Sequence, residues 1–183
     1  GEVLNVRNII ASLNPEASRR ILLCAHWDSR PWADADLNPA NHRKPVMGAN
    51  DGASGVAVML EIARQCANDS FEFGIDFVCF DAEDRGVPYW DEKHAPADGS
   101  DWCLGSRYWA TEAAKNKYRA EFGILLDMVG GKGGTFYYEP YSYGTARKEV
   151  KKIWDKAHEL GFGSFFVKQE GSQVTDDHVY VNQ

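Results

Sequence analysis

An apolar run, Phe77 to Phe80, ends in the segment Asp81-Ala82-Glu83-Asp84-Arg85-Gly86, so three carboxylates arrive within four residues. Like carboxylates in one place raise each other's pKa and resist ionising together. Either all three face water, as in a solvated acidic turn, or something positive sits among them. A divalent cation would neutralise one carboxylate and leave its neighbour as a base. Adjacent residues of a regular strand face opposite sides. Glu83 and Asp84 can therefore share a site only if the strand has already ended, which Arg85-Gly86 makes plausible. Potential ligands recur at the ends of other apolar runs, His26 and Asp28 after "ILLCA" and Asp127 after "GILL", and in the loop "GANDGASG", where Asp51 stands just before a helix. Oxygen-rich sites with one or two imidazoles suit zinc or a similar ion.

Taken singly, most of these residues have plain readings as well. His26 fits a hydrogen-bonded polar residue at a strand end, Asp51 a helix cap or turn, and "DDH" a helix start. Asp127 is different, because an acid on a buried strand is costly unless paired. His42, His94 and His158 fall in loops or on an exposed helix face. "GGKGG" (130–134) lacks the phosphate-loop spacing and reads as a turn.

The elements that must position these groups follow from periodicity. Strands are expected over 4–12, 19–27, 73–82, 122–130, 135–139 and 164–168. Apolar residues at 56, 59, 60, 63, 66 and 67 give a helix over 52–68. Further helices are expected over 105–117, capped by Ser106, and over 146–160, ended by Gly161. Two long loops, 28–50 and 85–103, separate these elements, and loops of such length are usually functional or disordered. Strands alternating with helices predict an α/β three-layer sandwich, a mixed, mostly parallel central sheet flanked by helices. The first two strands, joined by a short turn, are expected to pair antiparallel. In such sheets ligands bind beyond the carboxyl ends of the strands, where the unusual residues collect.

The 183 residues, 44% hydrophobic and 26% charged, suit one globular domain. A net charge of -7 argues against nucleic acid as partner. No apolar run approaches the roughly 18 residues of a membrane span. Among the four cysteines, Cys24, Cys66 and Cys79 sit in apolar contexts and read as packed small hydrophobes.

The motifs "AHWDS", "GANDGASGVAVMLEIAR", "FDAEDRG", "LGSRYWA", "LLDMVG" and "TDDH", in this order, resemble the zinc aminopeptidase family M28, and within it most closely the glutaminyl cyclase branch of animals and bacteria. The resemblance covers about residues 21–181. It implies Asp51 and Asp84 as zinc ligands, Glu83 as general acid/base, and Asp127 and Asp176 as hydrogen-bonding catalytic acids in a single-zinc cyclase. In a di-zinc peptidase it makes His26 and Asp127 ligands of a second metal. Trp90 resembles a pocket-wall tryptophan of the cyclases. The peptide bond after Asp51 is expected to be cis. The family's remaining zinc histidine lies in a W-H-[ST] segment past "DDH", beyond Gln183, and His178 does not match it. The resemblance therefore implies that 1–183 is a single catalytic domain truncated at both ends, with an incomplete metal site. It implies a zinc-dependent glutaminyl-peptide cyclotransferase acting on peptide or protein N-termini, in a periplasmic or secreted location. The alternatives are a di-zinc aminopeptidase and a non-catalytic binding domain on the same fold.

Overall fold

The computed structural model describes residues 3–182; Gly1, Glu2 and Gln183 lie outside them. A central sheet has the order β1-β3-β2-β4, from β1 (Ile9–Leu13), β2 (Arg20–His26), β3 (Gly74–Phe80) and β4 (Phe122–Leu125). β3, β2 and β4 are parallel, and β1 is antiparallel to β3 with Ile9 opposite Cys79 and Leu13 opposite Ile75. Alternate residues of the two central strands feed two cores. Leu23, Ala25, Ile75 and Phe77 face α1 (Ala53–Cys66) through Met59. Leu22, Cys24, Val78 and Phe80 pack on the other face against Trp109 of α2 (Leu104–Lys115) and Val181 of α5 (Asp177–Val181). This is the three-layer sandwich expected from the sequence, with helices on both sheet faces.

Beside it lies a second sheet not foreseen as separate. β5 (Phe136–Tyr138) and β6 (Phe166–Glu170) pair parallel around α3 (Pro140–Thr145) and α4 (Arg147–Glu159). Trp154 of α4 packs on Tyr138 and Phe166. Gly161, at φ +86°, follows the end of α4 as expected.

Three expectations are corrected. β1 and β2 do not pair, because β3 runs between them. β2 is apolar and buried on both faces, so it takes a central place, whereas largely exposed β1 tolerates an edge. Ser106 does not cap α2, which starts earlier. The backbone N–H groups of Cys103, Leu104 and Gly105 donate to the carbonyls of Glu83, Ala82 and Asp81 at 3.0, 3.1 and 2.9 Å. The strand-end turn itself therefore satisfies the helix terminus, and the buried Ser106 hydroxyl donates back to the Cys103 carbonyl at 3.1 Å. The bond after Asp51 is trans, as are all peptide bonds among the described residues. Gly52 turns the chain into α1 at φ +80°, ψ -62° instead. A Cβ there would lie 2.7 Å from the Asp28 carbonyl oxygen, so only glycine fits this turn.

Candidate functional site

The carboxyl ends of the parallel strands gather the acids around one imidazole. β2 ends on His26, which is fully buried. Its Nε2 lies 2.8 Å from Asp51 Oδ1 and 3.1 Å from Asp127 Oδ1. Its Nδ1 faces Asp28 at 3.4 Å without forming a hydrogen bond. The Asp28 carboxylate accepts instead the backbone N–H groups of Glu83 and Asp84, both at 3.1 Å. Burial disfavours a charged imidazole, but the Asp127 and Asp51 carboxylates at Nε2, with the Asp28 carboxylate near Nδ1, outweigh it and raise the His26 pKa far above the usual value.

Asp51 precedes α1 but does not cap it; Gly52 takes that place and no side-chain cap bond forms. Its carboxylate is thereby left for His26. Asp127 stands two residues beyond the end of β4, which stops at Leu125 rather than continuing to 130. β3 likewise ends at Phe80, so Glu83 and Asp84 belong to an irregular turn and are not forced onto opposite faces. Asp176 caps α5, accepting the Asp177 N–H at 2.5 Å. "DDH" is thus a helix start whose cap is also a site acid.

Electrostatics link these groups into a chain. Burial, then the Asp176 charge, push Glu83 up to about 9. Burial, then Asp127, push Asp176 up to about 6. Burial, then Asp51, push Asp84 up to about 6, against the pull of Arg30 and His26. Glu83 also accepts a hydrogen bond from the buried Cys103 thiol at 3.4 Å. A cavity of about 280 Å³ opens beside them, walled by Trp102, Cys103, Thr175 and Tyr180.

The donor set fits zinc. One nitrogen and two oxygens from His26, Asp51 and Asp127 lie within 4.8 Å of one another. Ligands of one tetrahedral zinc stand about 3.4 Å apart at bond lengths near 2.1 Å, a few tenths of an ångström beyond the 2.8 and 3.1 Å spacings around His26 Nε2. Asp84 is not one of these three donors; the Asp51 charge raises its pKa.

Trp90 lies elsewhere in the contact pattern. It meets Trp32 edge-on at 6.1 Å, sits under Arg43 and does not line the cavity at Glu83. Trp102 does. His178 lies 3.2 Å from Glu139 and is no partner of the acids around His26. Cys24 and Cys103 are buried, Cys66 and Cys79 half-buried, and all four are free thiols. Sequence reasoning missed Cys103, Trp102, Asp177 and Arg30. Asp177 was visible as the second acid of "DDH"; the others carry no sequence signal, because their partners come from distant segments.

The model of peptidase family M28 matches residues 8–183. A glutaminyl cyclase structure from Tannerella forsythia superposes with a TM-score of 0.92 at 52% identity, over 99% of this chain and 61% of that one. A leucine aminopeptidase precursor from Bacteroides thetaiotaomicron gives a TM-score of 0.94 at 48% identity, over 100% of this chain and 62% of that one. The glutaminyl-peptide cyclotransferase of Gloydius blomhoffii is 29% identical over 94% of this chain and 51% of its own length. The chain thus spans about three fifths of these structures and half of that relative. The fold, the strand-end cluster of acids and the match over nearly the whole chain agree: the chain belongs to peptidase family M28.

Proposed function

We propose that the protein carrying this chain is a zinc-dependent glutaminyl-peptide cyclotransferase. The observation that carries this reading is a close pair of acids: Glu83 and Asp176 offer oxygens within 4.8 Å of one another beside the Cys103 thiol, and the Asp176 charge raises the Glu83 pKa. Glu83 and Asp176 so placed resist ionising together, so a proton is held between them. That arrangement suits a reaction that moves one proton and admits no water.

Asp51 and Asp84 would hold the zinc ion, which supplies Lewis-acid polarisation of the γ-amide carbonyl of an N-terminal glutamine. Ionised Glu83 takes a proton from the neutral α-amine as that nitrogen attacks the carbonyl carbon. It then delivers the proton to the departing amide nitrogen, which leaves as ammonia while the ring C–N bond is made. Asp176 and Asp127 hold the hydrogen bonds around Glu83. Substrates would be peptide and protein N-termini, met in the periplasm or outside the cell; no helix among the described residues is long and apolar enough to cross a membrane.

A second reading has its own observation. His26, Asp51 and Asp127 form a three-donor cluster, which favours a second metal and a di-zinc aminopeptidase in which Glu83 activates water. Mass spectrometry of a Gln-peptide incubated with the full-length protein separates the two. Loss of one ammonia with the chain length intact supports cyclisation. Release of free amino acids, with two zinc ions per chain, overturns it in favour of the peptidase.

A further inference from the structure

Behind Asp84 sits a buried arginine that this proton-transfer scheme does not use. Arg30 is 9% exposed. Its Nε and Nη2 donate to both Asp34 oxygens at 2.7 and 2.6 Å. Its Nη1 donates to the main-chain carbonyls of Asp84 at 3.1 Å and Gly86 at 3.4 Å. The guanidinium lies 4.6 Å from the Trp102 ring centre and 5.7 Å from that of Tyr89. Asp34 in turn accepts the Tyr89 N–H at 3.0 Å. One side chain thus joins the first long loop, the turn after β3 and the second long loop.

The consequence falls on Asp84. Its N–H is held by the Asp28 carboxylate and its carbonyl by Arg30. With both flanking peptide planes tied to charged side chains, buried Arg30 and half-buried Asp28, the direction in which its side chain leaves the backbone is set. We infer that Arg30 is a positioning residue for Asp84, fixing the main chain so that this carboxylate is presented to a divalent cation. The inference rests on Asp84 being a zinc ligand. A planar fork of donors is required, because a lysine ammonium cannot grip both Asp34 oxygens and reach two carbonyls at once.

Arg20 supplies a matched control. Its Nε and Nη2 grip both oxygens of Asp76 at 2.6 Å, and its Nη1 donates to the carbonyls of Asn14, Pro15 and Ala17. It is the same chemistry at the opposite end of β2, roughly 20 Å from His26 at the rise of an extended strand.

Zinc affinity is measured in the full-length protein by competition with a chromophoric chelator, alongside the Tm of each metal-free form. Arg30→Lys is expected to weaken zinc binding about 10- to 100-fold, the usual effect of losing a partner that orients a ligand. Arg20→Lys is expected to lower Tm and leave zinc affinity unchanged. Wild-type zinc affinity in Arg30→Lys, or an equal loss in Arg20→Lys, overturns the inference. Should Arg30→Lys fail to fold, Asp34→Asn is measured instead; a fall in zinc affinity supports the inference and an unchanged one overturns it. Asp84→Ala tests the underlying reading separately. If Asp84→Ala keeps zinc, the assignment of Asp84 as ligand has failed; if it loses zinc while Arg30→Lys does not, only the role of Arg30 has failed.

Discussion

Glu83 owes its suitability for proton transfer to what surrounds it rather than to its type. It is half-buried, lies near Asp176 and accepts from Cys103. Glu83→Gln keeps the shape and removes the proton carrier. Its turnover of a Gln-peptide is expected to fall at least about 10²- to 10⁴-fold, the usual contribution of a general acid–base group, with zinc content by elemental analysis unchanged. Asp84→Ala is expected to lose zinc as well. Asp177 makes a different, thermodynamic statement. It is fully buried and neither carboxylate oxygen has a hydrogen-bond partner. Burial pushes it up to about 7, with the Asp176 charge adding to the rise. The folded pKa thus lies above the unfolded one, near 3.9. Between about pH 4 and pH 7 the folded chain keeps a proton that the unfolded chain has lost. Stability therefore falls as pH rises through that window, by at most about 1.4 kcal/mol per pH unit. Asp177→Asn removes this loss. Melting followed from pH 4 to pH 8 should show a shallower decline in the variant, and identical slopes would contradict the assignment.

At the scale of elements, the site depends on a helix terminus seated on a turn. The first N–H groups of α2 grip the carbonyls of Asp81, Ala82 and Glu83, so α2 holds the turn that carries the proposed base. Gly105 permits the contact: a Cβ there would lie 2.4 Å from the Asp81 carbonyl oxygen. Gly105→Ala is expected to destabilise the fold by about 1–3 kcal/mol, as overpacking does, and to lower activity in parallel. Gly144 of α3 is the control, since a Cβ there meets nothing within 4 Å. Gly144→Ala should be neutral or stabilising by up to about 1 kcal/mol. Urea denaturation of both variants checks the pair. The existence of α2 was legible in its composition, but its start was not, because its caps are carbonyls some twenty residues earlier rather than a nearby side chain.

At the scale of the molecule, the acids around His26 come from the ends of β2, β3 and β4 and the starts of α1 and α5. Removal of any one of these elements dismantles the site. Asp51 and Asp84, the two zinc ligands expected from the motifs, are both carboxylates, and β4 has β2 as its only strand neighbour among the described residues. The open edge of β4 is expected to let the 183-residue chain self-associate. Sedimentation at rising concentration tests this; a monomer at every concentration would contradict it. The sequence by itself determined the α/β class, the place of each acid near the end of an apolar run and the family resemblance, because these are local: periodicity, punctuation and motif order are written along the chain. Only the tertiary structure decided that β3 separates β1 from β2, that Gly52 turns the chain with a trans bond, that Trp102 rather than Trp90 walls the cavity at Glu83, and that Arg30 holds the Asp84 backbone. Those outcomes depend on which segments, far apart in the chain, exclude water together, and that competition is settled by packing across the sheet rather than by any residue's neighbours in sequence.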